Sequence, residues 1–323
     1  MGSKARIAAI LGAGMVLAAC GGAEGGPAPV PAKPFSPAQS RQLAVEDSLR
    51  ATDPCGLLDE GLLADAGEVL QYGSAVQPSV CSALIRDADG AETAVDVSLL
   101  PSMLSDVSVS NPVEMNGATA YLGGGPDLGR GTCQRVFELD LGEEPERTPA
   151  QYATVRSRGP ADTDSCPLAD AVLESATARM VLGLPGRVDG TDWAVDAVGS
   201  NPCEVLTAFP EAARVVDTAL PPTPFQCTFH PDGVESSGNV VTLALGVKAV
   251  SEPETDESYE PKRVEDGCRS TFPVGREIDV TRPGVEVDEF ARALGNARAV
   301  VTVHGGDCGI VGKVTDAARS TFE

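Results

Sequence analysis

Nine cysteines are spread along this chain, and eight of them constrain its fold more than any other feature. They fall into two rows of four: Cys55, Cys81, Cys133 and Cys166, then Cys203, Cys227, Cys268 and Cys308. Their surroundings match in order. "TDPCGLL" at residues 52–58 returns as "SNPCEVL" at residues 200–206, and "CQRVFEL" from Cys133 is answered by "CRSTFPV" from Cys268. "CPLADAVLESA" from Cys166 is answered by "CGIVGKVTDAA" from Cys308, with Val172 and Val314, Glu174 and Asp316, and Ala176 and Ala318 at equal offsets. Four cysteine contexts in register indicate a tandem duplication.

The repeated heptad reads as a helix start. Asp53 and Asn201 suit the N-cap, Pro54 and Pro202 suit the first turn, and Leu57, Leu58, Leu62 and Leu63 (or Val205, Leu206 and Phe209) supply an apolar stripe. A free thiolate in that first turn would be acidic and reactive. An exported chain with an even number of cysteines oxidises them instead, so the eight are expected to form structural disulfides. Four cysteines permit three connectivities in each half, and all three stay open on spacing alone. First with second and third with fourth is the favoured pairing. Cys81 and Cys227 begin or lie in short apolar stretches that would return beside the first helix, whereas Cys166 and Cys308 open a closing helix.

Alternation marks the strands. Val95, Val97 and Leu99 share one face of residues 93–100, and Val241, Leu243, Leu245 and Val247 do the same in the second half. Each run follows a loop with Asp-Gly (Asp89-Gly90, Asp232-Gly233), which predicts an antiparallel hairpin in each half. Further strands are expected at residues 132–139, 152–156, 270–274 and 299–303, with a helix after Cys166 and after Cys308. The fold class is therefore α+β: two homologous tandem domains, each an antiparallel sheet with an N-terminal and a C-terminal helix, stapled by disulfides. The expected boundaries are 41–183 for the first domain, 184–190 ("LPGRVDG") for a linker and 191–323 for the second domain.

The N-terminus sets the compartment. Lys4 and Arg6 precede an apolar run, residues 7–19, that is too short to span a bilayer as a mature helix, which is the pattern of a signal peptide over residues 1–19. The run ends Leu17-Ala18-Ala19-Cys20-Gly21, which resembles the bacterial lipoprotein lipobox. The resemblance implies cleavage before Cys20 and lipidation of its thiol; the other reading is an ordinary secretory signal with an incidental cysteine. Each buried methylene of an acyl chain contributes about 0.8 kcal/mol, so two or three chains anchor a protein stably. Residues 20–40, rich in Gly, Pro and Ala, read as an extended tether.

Loss of Lys4 and Arg6 on cleavage moves the formal net charge from −23 to −25. That balance, without any basic cluster, excludes nucleic acid as a partner and leaves membrane attachment to the lipid at Cys20. Candidate chemistry is sparse. "DADGAE" at residues 87–92 resembles part of a calcium loop, but Ile85 holds the place of the first carboxylate, so a hairpin turn is expected. The acidic run at residues 251–262 reads as a solvated loop. His230 and His304 border expected turns and read as surface loop histidines; His304 beside Asp307 and Cys308 would matter only if Cys308 were a free thiol. No zinc spacing, phosphate loop or nucleophile elbow occurs, and the reading carries no catalytic residue, no metal and no cofactor.

A lipobox, a Pro-rich tether, a (D/N)-P-C-x-(L/V)-L start and a later cysteine-led strand together resemble the actinobacterial lipoproteins of the LprB type. In that resemblance Cys20 matches the anchor, and Cys55 and Cys203 match domain starts; the family has no assigned function. The expectation is a cell-envelope lipoprotein on the outer face of the membrane, acting as a binding, sensing or interaction module for an envelope protein or a small ligand. An envelope-acting hydrolase with paired carboxylates is the alternative.

Overall fold

Each repeated heptad is locked by its own cap. Asp53 sits in extended conformation and its carboxylate accepts from Cys55 N–H at 2.9 Å, starting a 3₁₀ turn over Pro54–Leu57. Asn201 does the same for Cys203 at 2.9 Å, starting a 3₁₀ turn over Pro202–Ala208. The expectation of one α-helix running on from Pro54 needs correction. Leu58 returns to extended backbone, and Asp59 caps a separate helix, α2 (Glu60–Ala66), by accepting from Gly61 and Leu62. Two Asp side chains six residues apart each favour a new start over a continued ladder. Gly56 is required in the first turn, because a Cβ there would lie 2.3 Å from Pro185 Cβ.

The computed structural model describes residues 37–75, 77–99, 111–122, 129–141, 151–187, 197–209, 214–215, 224–232, 239–250, 259–284 and 295–323. A helix absent from the expectation, α1 (Pro37–Ala51), precedes the first turn, so the last residues assigned to the tether, 37–40, are helical. Val45 and Leu49, one turn apart, are the apolar residues that α1 buries, with Glu46 and Arg50 buried beside them.

Thirteen described strands form two antiparallel sheets. The first holds β1 (Glu68–Gly73), β2 (Val80–Arg86), β3 (Glu92–Ser98), β4 (Pro112–Met115), β5 (Ala118–Tyr121), β6 (Thr132–Leu139) and β7 (Gln151–Arg158) in the order β1-β2-β3-β7-β6-β5-β4. The second holds β8 (Arg214–Val215), β9 (Gln226–His230), β10 (Val241–Ala249), β11 (Lys262–Val264), β12 (Gly267–Asp279) and β13 (Asn296–Gly305) in the order β11-β12-β13-β10-β9-β8. Helix α3 (Cys166–Met180) closes the first sheet and α4 (Cys308–Phe322) the second. The two helices share four buried offsets from their first cysteine, Ala169, Val172, Leu173 and Ala176 in α3 and Val311, Val314, Thr315 and Ala318 in α4, and α3 buries Thr177 besides. A period of three and four residues lays these on one stripe. Opposite that stripe lie the inward-facing strand residues, Val97, Val155 and Phe137 in the first core, Leu243, Val303 and Phe272 in the second.

All eight cysteines pair, first with second and third with fourth. Cys55–Cys81 and Cys203–Cys227 tie the 3₁₀ turns to β2 and β9 with Cα atoms 4.9 and 5.2 Å apart. Cys133–Cys166 and Cys268–Cys308 tie β6 and β12 to the starts of α3 and α4 at 5.0 and 5.2 Å. "DADGAE" forms the β2–β3 hairpin turn: the Asp87 carboxylate accepts from Asp89 and Ala91 N–H, and Gly90 takes φ +83°.

The two sheets meet through backbone and three arginines, Arg50, Arg187 and Arg282, the last pairing with Glu60 at 2.6 Å and lying over the Tyr72 ring. Edge strand β1 continues into the segment after β12, where Tyr72 N–H donates to Val280 O and Arg282 N–H to Leu70 O, both at 2.9 Å. The stretch expected as a linker is bonded on its described part, residues 184–187: Asp53 N–H donates to Pro185 O at 2.8 Å and Arg187 N–H to Ala51 O at 3.1 Å. Arg187 Nε donates to Arg50 O and its Nη2 to Pro78 O, both at 2.7 Å, beneath the Phe225 ring. Arg50, 2 % exposed, donates to Pro224 O at 2.5 Å and pairs with Asp47 and Glu46.

Removing one partner of a buried charge network strands the others, at a cost of about 3 kcal/mol. Arg50→Ala is therefore expected to lower unfolding free energy by about that much in a urea titration. Arg319→Ala removes an exposed pair with Glu323 and a contact over the Tyr259 ring, and should lower stability clearly less. Equal effects of the two changes would reject this account of the joint.

Candidate functional site

Strand alternation gives each sheet a second face, turned away from its closing helix. In the first sheet the row Cys81, Val97, Val155 and Arg135 faces α3, since Arg135 Nε donates to Asp170 of that helix at 2.6 Å. One residue further along every strand lies the opposite row: Ser82 beside Asp96, Asp96 beside Arg156, Arg156 beside Gln134. The corresponding row of the second sheet is Thr228, Thr242, His304 and Arg269. Sequence reading missed the first row, because Asp96 and Arg156 are sixty residues apart in the chain and only register joins them. The available signal was a lone carboxylate in the outward position of "TAVDVS".

The first row holds opposite charges that do not satisfy each other. Arg156 Nη2 donates to Gln134 Oε1 at 3.3 Å, while its Nε is buried without a hydrogen-bond partner. Asp96, half-buried, accepts no hydrogen bond among the described residues. Burial pushes its carboxyl above the ordinary value of 3.8, against the pull of Arg156 and Arg158. An unmade buried hydrogen bond costs roughly 1–3 kcal/mol, so native proteins keep few of them, and those few concentrate where a ligand or reaction uses them.

The second row is chemically different. Thr228 and Thr242 hydroxyls bond at 3.1 Å. His304 Nε2 lies 3.3 Å from Asp266 Oδ1 but out of line for a hydrogen bond, and stays unpartnered. The Asp266 carboxyl is held below its ordinary value by its own backbone N–H first, then by His304 and Arg269. Both histidines depart from the expectation of surface loops. His304 is a β13 residue, and His230 closes β9 at 7 % exposure with Nδ1 unpartnered, because both strands extend beyond the apolar run that marked them.

Other candidate residues serve the framework. Asp307 caps α4 by accepting from Ile310 N–H at 2.9 Å, and Cys308 is in a disulfide, so His304 faces no thiol nucleophile. Burial raises the Asp53 carboxyl, opposed by its bond from Cys55 N–H and by nearby Arg187. Tyr72 is pushed up by burial, and its hydroxyl reaches two carbonyls, Cys55 O at 2.8 Å and Leu58 O at 2.7 Å. Asp59 is held below its ordinary value by its hydrogen bond with Arg179, at 2.6 Å. Among the described residues no three His, Cys, Asp or Glu side chains gather as metal ligands. Cys20 and most of the acidic run, residues 251–258, lie outside the described residues. No protein family model, no curated protein and no solved structure matches this chain.

The raised Asp96 carboxyl fixes the sign of a pH effect. A folded-state value above the unfolded one means the folded protein holds the proton longer, so Asp96 supports folding below pH ~4 and works against it once pH rises past the folded value. Asp96→Asn should therefore be more stable than wild type at pH 7, with the difference vanishing below pH ~4. Denaturant titrations at several pH values would show it; a variant less stable at pH 7 would reverse the assignment.

Proposed function

We propose that this chain is an extracytoplasmic lipoprotein, anchored to the outer face of the membrane through Cys20, whose two sheets arose by duplication and serve as a binding module. The observation that carries the reading is the set of four disulfides, since such bonds persist in oxidising compartments and are rare in the cytosol. The lipobox-like run at residues 17–21 supplies the anchor, and the likeness to LprB-type lipoproteins points the same way. No described helix is long and apolar enough to cross a membrane, which leaves attachment in this reading to the lipid.

Duplication is supported by agreement beyond the cysteines. The orders β1-β2-β3-β7-β6 and β8-β9-β10-β13-β12 follow one chain path. Aligning Cys81 with Cys227 and Cys133 with Cys268 brings the registers into line: Cys81 opposes Val97 as Cys227 opposes Leu243, and Cys133 opposes Ser157 as Cys268 opposes Gly305. A one-residue slip anywhere would have turned the core faces outward.

Binding, more than hydrolysis, is favoured by the row on the first sheet. Its half-buried carboxylate stands beside a guanidinium, and not beside the second acid that paired-carboxylate hydrolysis needs. Expression of wild type and Cys20→Ala in a bacterial host, followed by fractionation and labelling with a palmitate analogue, tests the anchor. Wild type should be labelled and sediment with membranes, while the variant should be unlabelled and released. A variant that remains membrane-bound, or eight alkylatable thiols in protein quenched directly from cells, would overturn the reading. Crosslinking on intact cells then identifies an envelope partner if one is present.

A further inference from the structure

We propose that Asn116 is a site of covalent modification: its side-chain amide is lost to attack by the backbone nitrogen of Gly117, and the acid that results releases the β4–β5 hairpin from α3. This goes beyond the reading as a binding module and does not depend on it. The attack needs an N–H on the residue after the asparagine and an open path to it. Of the five asparagines, Asn111 and Asn201 precede proline, which has no N–H, and Asn239 and Asn296 precede Val240 and Ala297, whose side chains crowd the nitrogen. Asn116 alone precedes glycine. The fold adds access. Asn116 and Gly117 are both exposed and make the two-residue turn between Met115 and Ala118, with φ +52° and +81°. A Cβ on Gly117 would meet no atom within 4 Å, so nothing crowds the turn on that side.

Water is the sole co-reactant. Gly117 N gives up its proton and bonds to Asn116 Cγ; the Cγ–Nδ2 bond breaks, and Nδ2 leaves with that proton as ammonia. Water then opens the cyclic imide. Cleavage at Cγ leaves aspartate, whereas cleavage at the backbone carbonyl carbon leaves isoaspartate, which runs the chain through Cβ and lengthens the turn by a methylene. The present role of the amide fixes the consequence. Asn116 Nδ2 donates to Glu174 O and to Thr177 Oγ1, both at 3.1 Å. Thr177 directs its own hydroxyl proton to Leu173 O and Glu174 O. A carboxylate donates nothing, so in either product two acceptors face an anion near the C-terminal, negative end of α3. Among the described residues the hairpin has few other ties. Strand β5 pairs with β6 at Ala120 and Tyr121, Tyr121 donates to Glu138 at 2.8 Å, and Val113 and Met115 are partly buried against the first core. So slight an attachment also lets the hairpin open locally and free the amide for attack.

The test incubates the full chain with Cys20→Ala, its disulfides formed, at neutral and at mildly alkaline pH, and follows it by peptide mass mapping. A synthetic peptide of residues 112–121 sets the clock. Asn116 should convert to a mixture of aspartate and isoaspartate, faster at the higher pH because the attacking nitrogen must shed its proton, while the other four asparagines stay intact. The converted protein, separated by its added charge, should then exchange its amide hydrogens about tenfold faster or more over residues 112–121, with residues 241–249 unchanged. Asn116→Asp made directly should show the same increase. Asn116 still intact after about ten times the peptide's conversion time, or outpaced by Asn239 or Asn296, overturns the site. Conversion that leaves exchange over residues 112–121 unchanged overturns the release of the hairpin.

Discussion

The structure depends on covalent attachment of each sheet to what covers it. A twisted antiparallel sheet has an apolar face that must be buried, and here one helix and one 3₁₀ turn per sheet do most of that work. A single 15-residue helix contributes a narrow stripe of Ala, Val, Leu and Thr side chains, little apolar area for a sheet of six or seven strands. The disulfides compensate. They close loops whose ends are 24 to 40 residues apart, and a closed loop of that size stabilises by roughly 3–4 kcal/mol through the entropy it removes from the unfolded chain. Each bond ties a cover to a core strand: at the first residue of α3 and α4, and in the turns that start each half.

Once the covers are fixed, the joint between the sheets can be polar. Arg50 and Arg187 cross it by donating to backbone carbonyls at Pro224, Arg50 and Pro78, groups that would otherwise be buried without donors. Two ladder bonds from β1 to Val280 and Arg282 occupy an edge that would otherwise invite pairing with another chain. Such a joint is directional, because carbonyl acceptors fix where a guanidinium can sit.

What was legible in the sequence follows from which interactions are local. Residues 132–139 form β6 as expected, and the β2–β3 turn was readable from Asp87 and Asp89-Gly90, because alternation and Asx-type turns act over a few residues. The disulfide pairing was favoured for the reason the structure gives, that Cys81 and Cys227 return beside the first turn. Helix α1 was not legible, since Val45 and Leu49 are a weak apolar signal among Gln, Arg, Glu and Asp, and it is held by contacts from distant residues such as Pro224. The break at Leu58 was hidden because Asp59 looked like one more residue of a helix already started. The Asp96–Arg156–Gln134 row was out of reach for a deeper reason: its meaning lies in register between strands far apart in sequence, to which local periodicity is blind.

Under the proposed duplication, the two faces of each sheet have had different freedom to change. An inward residue is held by the volume of its helix and by its neighbours, so Val155 and Val303 occupy equivalent places, as do Val97 and Leu243. Where the inward face does differ, the cover differs with it. Arg135 pairs with Asp170 of α3, whereas Ser270 stands in the equivalent strand position, Gly312 in the equivalent helix position, and Ser270 donates instead to Tyr259 O. Outward residues carry no such linkage, and there the sheets part: a carboxylate beside a guanidinium in one, a threonine beside a histidine in the other. The Thr228 and Thr242 hydroxyls bond each other, but buried nitrogens without a hydrogen-bond partner occur in both sheets, Arg156 Nε in the first and His230 Nδ1 and His304 Nε2 in the second. Under that reading one scaffold carries two outward chemistries, a carboxylate beside a guanidinium in one copy and hydroxyls beside an imidazole in the other, while the inward rows that hold the covers stay alike.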